Sequence, residues 1–222
     1  RYTESDPEKV FMQNQTYQKY SKIPMFIAVN GETGGNTFCN TGTFVATEAE
    51  CEATGNVQAA YKMGQVCGSE AEALGCNWNF APIGDIVFNW RNTIVNTRSF
   101  GKEPETVLEM CRAYLRGSRE SNVLSCVKHF PGDGVEERDQ HLVMGINNLS
   151  CEEWDESFGK VYQTLINEGL ESIMAGHIAL PAYSRHFYPE LKDEEIMPAT
   201  LAPELIQGLL RTKMGFQGIV VT

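Results

Sequence analysis

Short, almost continuously apolar runs alternate along this chain with longer segments whose apolar residues recur at helical spacing. That alternation restricts the fold more than any other feature. The runs predict strands at Pro24–Val29, Trp78–Ala81, Val123–Val127, Ser172–Ala175 and Ile219–Val221, and the segments between them predict helices near 56–74, 104–119, 151–168 and 203–213. In the third helix Trp154, Phe158, Val161, Leu165 and Ile166 fall on one face, and Ser150 with Glu153 forms a capping box that fixes its start. The second repeats the stripe with Val107, Met110, Cys111, Tyr114 and Leu115, and Pro203 suits a first helical turn ahead of Leu205, Leu209 and Leu210. Strands that are apolar throughout, rather than alternating, imply a parallel sheet covered on both faces, either an open doubly wound sheet or a closed (β/α) barrel. Polar residues follow successive strands (Asn30, Asp85, His129, His177), which favours the barrel, because an open sheet gathers its ligands at one switch point. The expected class is therefore α/β; periodicity alone does not separate an open sheet from a (β/α)8 TIM barrel, and the five strands seen are fewer than the eight a complete barrel needs.

With 222 residues, 42% of them hydrophobic, the chain can bury one substantial core, so a single domain or most of one is expected. A formal net charge of -11 disfavours nucleic acid and anionic membranes as partners, because the mean field repels them. The seven cysteines show no Cys-x-x-Cys spacing, so the expectation is buried, reduced thiols in a cytoplasmic protein rather than a zinc knuckle or redox pair. No apolar stretch approaches the roughly 18 residues of a membrane span, and the first residues do not begin a signal peptide. Gly31–Asn36 is a turn-rich loop, and no Gly-x-x-x-x-Gly-Lys or Gly-x-Gly-x-x-Gly pattern supports nucleotide binding.

Chemistry concentrates in residues 128–141, where two histidines, four acidic residues and two glycines follow the Val123–Val127 run. Charged groups at the C-terminal end of a parallel strand lie where α/β enzymes build their sites. A carboxylate two residues from a histidine, as Asp139 is from His141, can hold one ring nitrogen and leave the other to shuttle protons near neutral pH; the bland reading is a solvated loop. Lys128 and His129 close the strand and could donate to a polyhydroxylated ligand, or form a structural ion pair with Asp85 or Asp133. Arg98, in Asn96–Gly101, has a planar fork suited to adjacent hydroxyls or a carboxylate, with a surface salt bridge as the alternative. His177 follows a later strand and reads equally as catalyst or as a residue that orients one. Trp90 is a candidate for the rim of the site, whereas Trp154 belongs to the helix stripe and the core. His129, Asp133, Asp139, His141 and His177 offer nitrogen and oxygen donors, but without His-x-His or His-Glu-x-x-His spacing the site is expected to hold no metal.

Four ordered motifs, Phe80-Ala-Pro-Ile-Gly-Asp-Ile86, Asn96-Thr-Arg-Ser-Phe-Gly101, Lys128-His-Phe-Pro-Gly-Asp-Gly134 with Asp139-Gln-His141, and Gly215-Phe-Gln-Gly-Ile-Val-Val-Thr222, resemble glycoside hydrolase family 3. The resemblance runs from about Ile23 to the last residue and is closest to the β-N-acetylglucosaminidase branch. It implies a barrel that removes terminal β-linked N-acetylglucosamine from an oligosaccharide or glycopeptide with retention of configuration and no cofactor. It also implies that Arg98, Lys128 and His129 bind sugar hydroxyls, that Asp85 supports them, and that Asp139 and His141 form the acid/base dyad. An imidazole in that role is unusual, because glycosidases generally use two carboxylates. A neutral imidazole would also not repel phosphate as second nucleophile, so phosphorolysis is a variant of the same mechanism.

Two departures from the family pattern bear on function. Asn30 stands where many relatives carry an aspartate that holds sugar hydroxyls, which implies a neutral, weaker contact. The family's aspartate nucleophile follows the strand that here ends at Thr222, so it would be the next residue. Residues 1–222 are thus expected to be one partial barrel domain that lacks its first unit and its C-terminal units, and to have no hydrolase activity alone. A partial barrel exposes strand edges, so low stability or dependence on association is expected with it. The rival reading is a non-catalytic sugar-binding or scaffold module on a decayed barrel, which an apolar residue after Thr222 would favour and an aspartate there would oppose.

Overall fold

The computed structural model describes residues 6–222. Helix α1 (Pro7–Tyr20) leads into strand β1 (Ala28–Val29), helices α2 (Glu48–Ala53) and α3 (Val57–Ala73), strand β2 (Trp78–Asn79), helix α4 (Pro104–Ser118) and strand β3 (Leu124–Phe130). Strand β4 (Gly145–Ile146) precedes helix α5 (151–167), then β5 (Ser172–Ala175), β6 (Ile178–Ala179), α6 (Pro181–Phe187), the π-helical α7 (Glu204–Lys213) and β7 (Ile219–Val221). A five-stranded sheet has the order β1-β2-β3-β5-β7, with β1–β2, β2–β3 and β5–β7 parallel, and β4 pairs in parallel with β6 in a sheet of its own. The strands of the larger sheet are the five expected from the apolar runs.

Three strands differ from expectation in their boundaries: β2 stops at Asn79 rather than Ala81, and the other two differ for local reasons. β1 is confined to Ala28–Val29, because Pro24, Met25 and Phe26 are exposed and the Met25 carbonyl is taken by the side chains of Gln18 and Asn77 instead of a strand ladder. β3 runs on past Val127 to Phe130, so Lys128 and His129, expected to close the strand, lie within it and are buried.

The chain groups into two compact units, one made of the residues up to Pro82 with Met110–Cys126, the other of Ile83–Glu109 with Val127–Thr222. In the first unit α3 and the second half of α4 approach to backbone contact. A Cβ at Gly64 would lie 2.0 Å from the Tyr114 carbonyl oxygen and one at Gly117 would lie 2.1 Å from that of Tyr61, so only glycine permits this separation. The close approach delivers the Tyr114 hydroxyl to the Gly31 carbonyl (2.5 Å), while Asn79 donates to that hydroxyl (2.8 Å) and accepts from Gly31 N (2.7 Å).

The core of the second unit is aromatic. Phe130 meets Trp154 and Tyr162 edge-on at 6.1 and 5.4 Å, and Trp154 meets Tyr183 at 5.3 Å, geometries that favour ring quadrupoles. Helix α5 carries most of this surface and starts at the expected capping box, with Glu153 N bonded to Ser150 Oγ and Ser150 N to Glu153 Oε2. A π turn at Asp155–Gly159 interrupts it; Phe158 within the turn and Val161, Tyr162 and Leu165 after it are buried, whereas Ile166 is only half-buried. The Trp154 indole donates to the Pro131 carbonyl at 2.7 Å, which ties the segment after β3 to this core.

Candidate functional site

Asp85 is fully buried and organises the end of β3. Its Oδ1 accepts from the backbone N–H of His129 (3.0 Å) and of Asp133 (2.8 Å), and its Oδ2 lies 2.7 Å from His129 Nδ1. A carboxylate there is satisfied only if the imidazole proton sits on Nδ1, which leaves Nε2 as the atom the ring can offer a ligand. The pairing expected as the bland reading of His129 is therefore present, and it is also the arrangement that would orient a ligand-binding histidine. Lys128 is 2% exposed, a burial that an ammonium tolerates only beside acceptors.

The segment that follows turns on two glycines at positive φ. Gly132 has φ +126° and its Cβ position lies 2.2 Å from the Phe158 ring; Gly134 has φ +104° and lies 2.1 Å from the Ile86 carbonyl oxygen. Between them Asp133 is buried, its Oδ1 accepting from Gly134 N (2.7 Å) and Asn92 Nδ2 (2.8 Å) and its Oδ2 from Gln140 Nε2 (2.6 Å). Burial, and then the charge of Asp85, push the Asp133 carboxyl above its ordinary value, while Gly134, Asn92 and the charge of His129 act in the opposite direction.

Asp139 and His141 stand further out. Asp139 Oδ1 accepts from both N (2.8 Å) and Nδ1 (2.7 Å) of His141, and the two side chains are 29% and 61% exposed. The His141 N–H, its ring, and the charges of His141 and Arg98 hold the Asp139 carboxyl below the usual range. With Nδ1 engaged, Nε2 is the ring nitrogen left to exchange a proton with a bound molecule.

Arg98 is half-buried, and its Nη1 donates to the Ile94 carbonyl at 3.2 Å. His177 is exposed with Nδ1 3.2 Å from Thr200 Oγ1, and its backbone N–H donates to Gln140 Oε1 at 2.9 Å. Trp90 is exposed with the Arg91 guanidinium 5.2 Å from its ring centre. The second unit thus joins His129 to Asp85, Asp139 to His141, and, through Gln140, Asp133 to His177. Asn30 follows β1 in the first unit and is exposed. Sequence reasoning missed Asn92 and Gln140. Neither carries a sequence signal, Asn92 being one polar residue in a polar loop and Gln140 one polar residue in the turn closed by Leu142 N and Val143 N on the Asp139 carbonyl. Among the described residues no three side chains of His, Cys, Asp or Glu are grouped to hold a metal ion.

Residues 3–222 match the model of the glycosyl hydrolase family 3 N terminal domain. The chain is 44% identical over 207 residues to a β-N-acetylglucosaminidase/β-glucosidase of Cellulomonas fimi, covering 93% of this chain and 37% of the relative. It is 30% identical to β-hexosaminidase A of Pseudoalteromonas piscicida, covering 95% of this chain and 36% of that protein. Among solved structures, β-glucoside phosphorylase BglX bound to 2FGlc superposes with a TM-score of 0.93 at 44% identity, over 97% of this chain and 39% of that one. A family 3 β-N-acetylglucosaminidase from Paenibacillus sp. str. FPU-7 superposes with a TM-score of 0.88 at 32% identity, over 96% and 40%. The chain therefore spans little more than a third of the length of these two curated relatives.

Proposed function

Because this chain belongs to glycosyl hydrolase family 3, matching its N-terminal domain, we propose that it carries the sugar-binding and acid/base half of a retaining β-N-acetylglucosaminidase. The substrate class is a terminal N-acetylglucosamine on an oligosaccharide or glycopeptide, in keeping with the names of the Cellulomonas fimi and Paenibacillus relatives. The observation that carries the reading is the Asp139–His141 pair, 2.7 Å apart and open to solvent on the imidazole side. In the first step an aspartate from the part of the relatives beyond this chain attacks the anomeric carbon. His141 passes its Nε2 proton to the departing oxygen as the glycosidic bond breaks and a glycosyl ester forms. In the second step the now neutral Nε2 takes a proton from the incoming acceptor, whose oxygen displaces the aspartate. Arg98 and Lys128 donate to sugar hydroxyls, His129 accepts from one through Nε2, and Asp85 fixes the tautomer of His129.

The test is leaving-group dependence in the complete protein. His141→Ala should slow a natural glycoside by about 100-fold or more, the scale of a lost general acid, yet slow an aryl glycoside with an acidic phenol far less. Equal losses on both substrates would remove the acid role.

A phosphorolytic variant has its own support, since the acid/base pair presents an imidazole rather than a second carboxylate, and a structure at 44% identity is named a β-glucoside phosphorylase. Product analysis with and without phosphate decides it. Accumulation of a sugar phosphate establishes the variant, and its absence at every phosphate concentration leaves water as the acceptor.

A further inference from the structure

Gln140 separates the two members of the proposed dyad, and its side chain goes the opposite way. His141 is exposed, Asp139 is half-buried and bonded to it, whereas Gln140 between them is buried. Both ends of its amide are used, Nε2 donating to Asp133 Oδ2 at 2.6 Å and Oε1 accepting from His177 N at 2.9 Å. The site is shaped to receive it. A Cβ at Gly176 would lie 2.8 Å from Gln140 Oε1, so the residue ahead of His177 must be small for the amide to reach the end of β5. Asp133, its other partner, is fixed by Asn92 and by Gly134 N, and its own backbone N–H is held by Asp85, the carboxylate that holds His129. The bonds of the pair itself, from His141 to Asp139 Oδ1 and from Leu142 N and Val143 N to the Asp139 carbonyl, are local and set its internal geometry, not its place above the sheet.

We propose that Gln140 is the positioning residue of this site, a buried amide clamp between Asp133 and the His177 backbone that registers the Asp139–His141 pair against the sugar-holding end of β3. This rests on the acid/base reading of His141. A reacting group misplaced by about 1 Å can cost on the order of 100-fold, so loss of the clamp should read as loss of acid catalysis rather than of folding.

The experiment compares Gln140→Leu with His141→Ala in the complete protein on two substrates, a natural glycoside that needs protonation and an aryl glycoside with an acidic phenol that does not. Gln140→Leu keeps the bulk and removes both hydrogen bonds. Its kcat on the natural glycoside should fall by about 10- to 100-fold, and by less than about 3-fold on the aryl glycoside, with KM for the latter unchanged. Gln140→Asn, polar but one methylene too short to span both partners, should give the same split and serves if the leucine variant does not fold. Equal losses on both substrates, or no loss in either variant, overturn the clamp while His141→Ala still shows the split. If His141→Ala itself shows no split, the acid/base reading fails and the clamp with it.

Discussion

Asp139 and Asp133 are six residues apart, and their environments pull their carboxyls in opposite directions. For Asp139 the first cause is the N–H of His141, then its ring, and the folded value falls below the ordinary 3.8. A depressed carboxyl contributes stability that is fully present above the unfolded value and is lost as pH falls through the folded one, so the pair should persist as the solution is acidified past 3.8. Carbon-13 titration of the Asp139 carboxyl should give a midpoint below 3.8, and a midpoint at or above it would mean that the pair does not form in solution. For Asp133 the shift is upward, so its contribution is present below 3.8 and is lost as pH rises through the higher folded value. Ionised Asp133 thus depends on its donors. Asn92→Ala, which removes one of them, should cost about 1–3 kcal/mol in urea unfolding, with a larger deficit at pH 7 than at pH 4. Gly132 is constrained by space as well as by backbone, and Gly132→Ala should destabilise by about 2–4 kcal/mol, because its methyl group would enter the Phe158 ring at a positive φ. A thermal unfolding midpoint unchanged by that substitution would contradict the packing described for the Phe158 ring.

At the scale of elements, burial on both faces is what sequence periodicity reports best. β5 and β7 lie where the apolar runs place them, at Ser172–Ala175 and Ile219–Val221, and the Val107, Met110, Cys111, Tyr114 and Leu115 stripe of α4 is buried throughout. The capping box of α5 was legible because it is a local bond between residues three apart. Helix α1 was not, since only Val10 and Asn14 of its fourteen residues are buried and its other apolar residues, Phe11, Met12, Tyr17 and Tyr20, are exposed. β4 and β6 have two residues each, too few to show any period. The continuation of β3 to Phe130 was hidden by chemistry, because a charged Lys128 and a polar His129 mark the end of a strand until Asp85, 44 positions before His129, is found bonded to its ring. Of the candidate site, the local Asp139–His141 pair was readable, and the long-range Asn92–Asp133 link was not. The contact of α3 with α4 offers a test at this scale. Gly64→Ala places a methyl group 2.0 Å from the Tyr114 carbonyl oxygen, and should cost about 1–3 kcal/mol by chemical denaturation while helical circular dichroism of the native state is retained.

For the molecule as a whole, the cysteines report how far water reaches. All seven are free thiols, six of them buried and Cys151 half-buried. Burial, then the charges of Glu48 and Glu50, push Cys51 up to about 11, and burial pushes Cys67 up to about 12, so neither is a thiolate at neutral pH. Burial and Asp155 also raise Cys151, which should therefore react slowly. Maleimide labelling with peptide mapping should find Cys151 modified first in the native protein and the other six only in urea. Early labelling of Cys67 would show that the first unit opens without denaturant.

The extension of β3 has a further consequence. Lys128 and His129 are held by a sheet ladder, so they move only as the core moves, whereas Asp139 and His141 ride on a connection held by a few side-chain bonds, those of Gln140 and that of Asn92 to the Glu136 carbonyl among them. Under the proposed reading, which sugar is accepted and which molecule receives it are inscribed in different materials. Donor preference would change slowly, against the cost of repacking a core, while the acceptor side could be rewritten by exchanging residues 135–144 and leaving the strand alone.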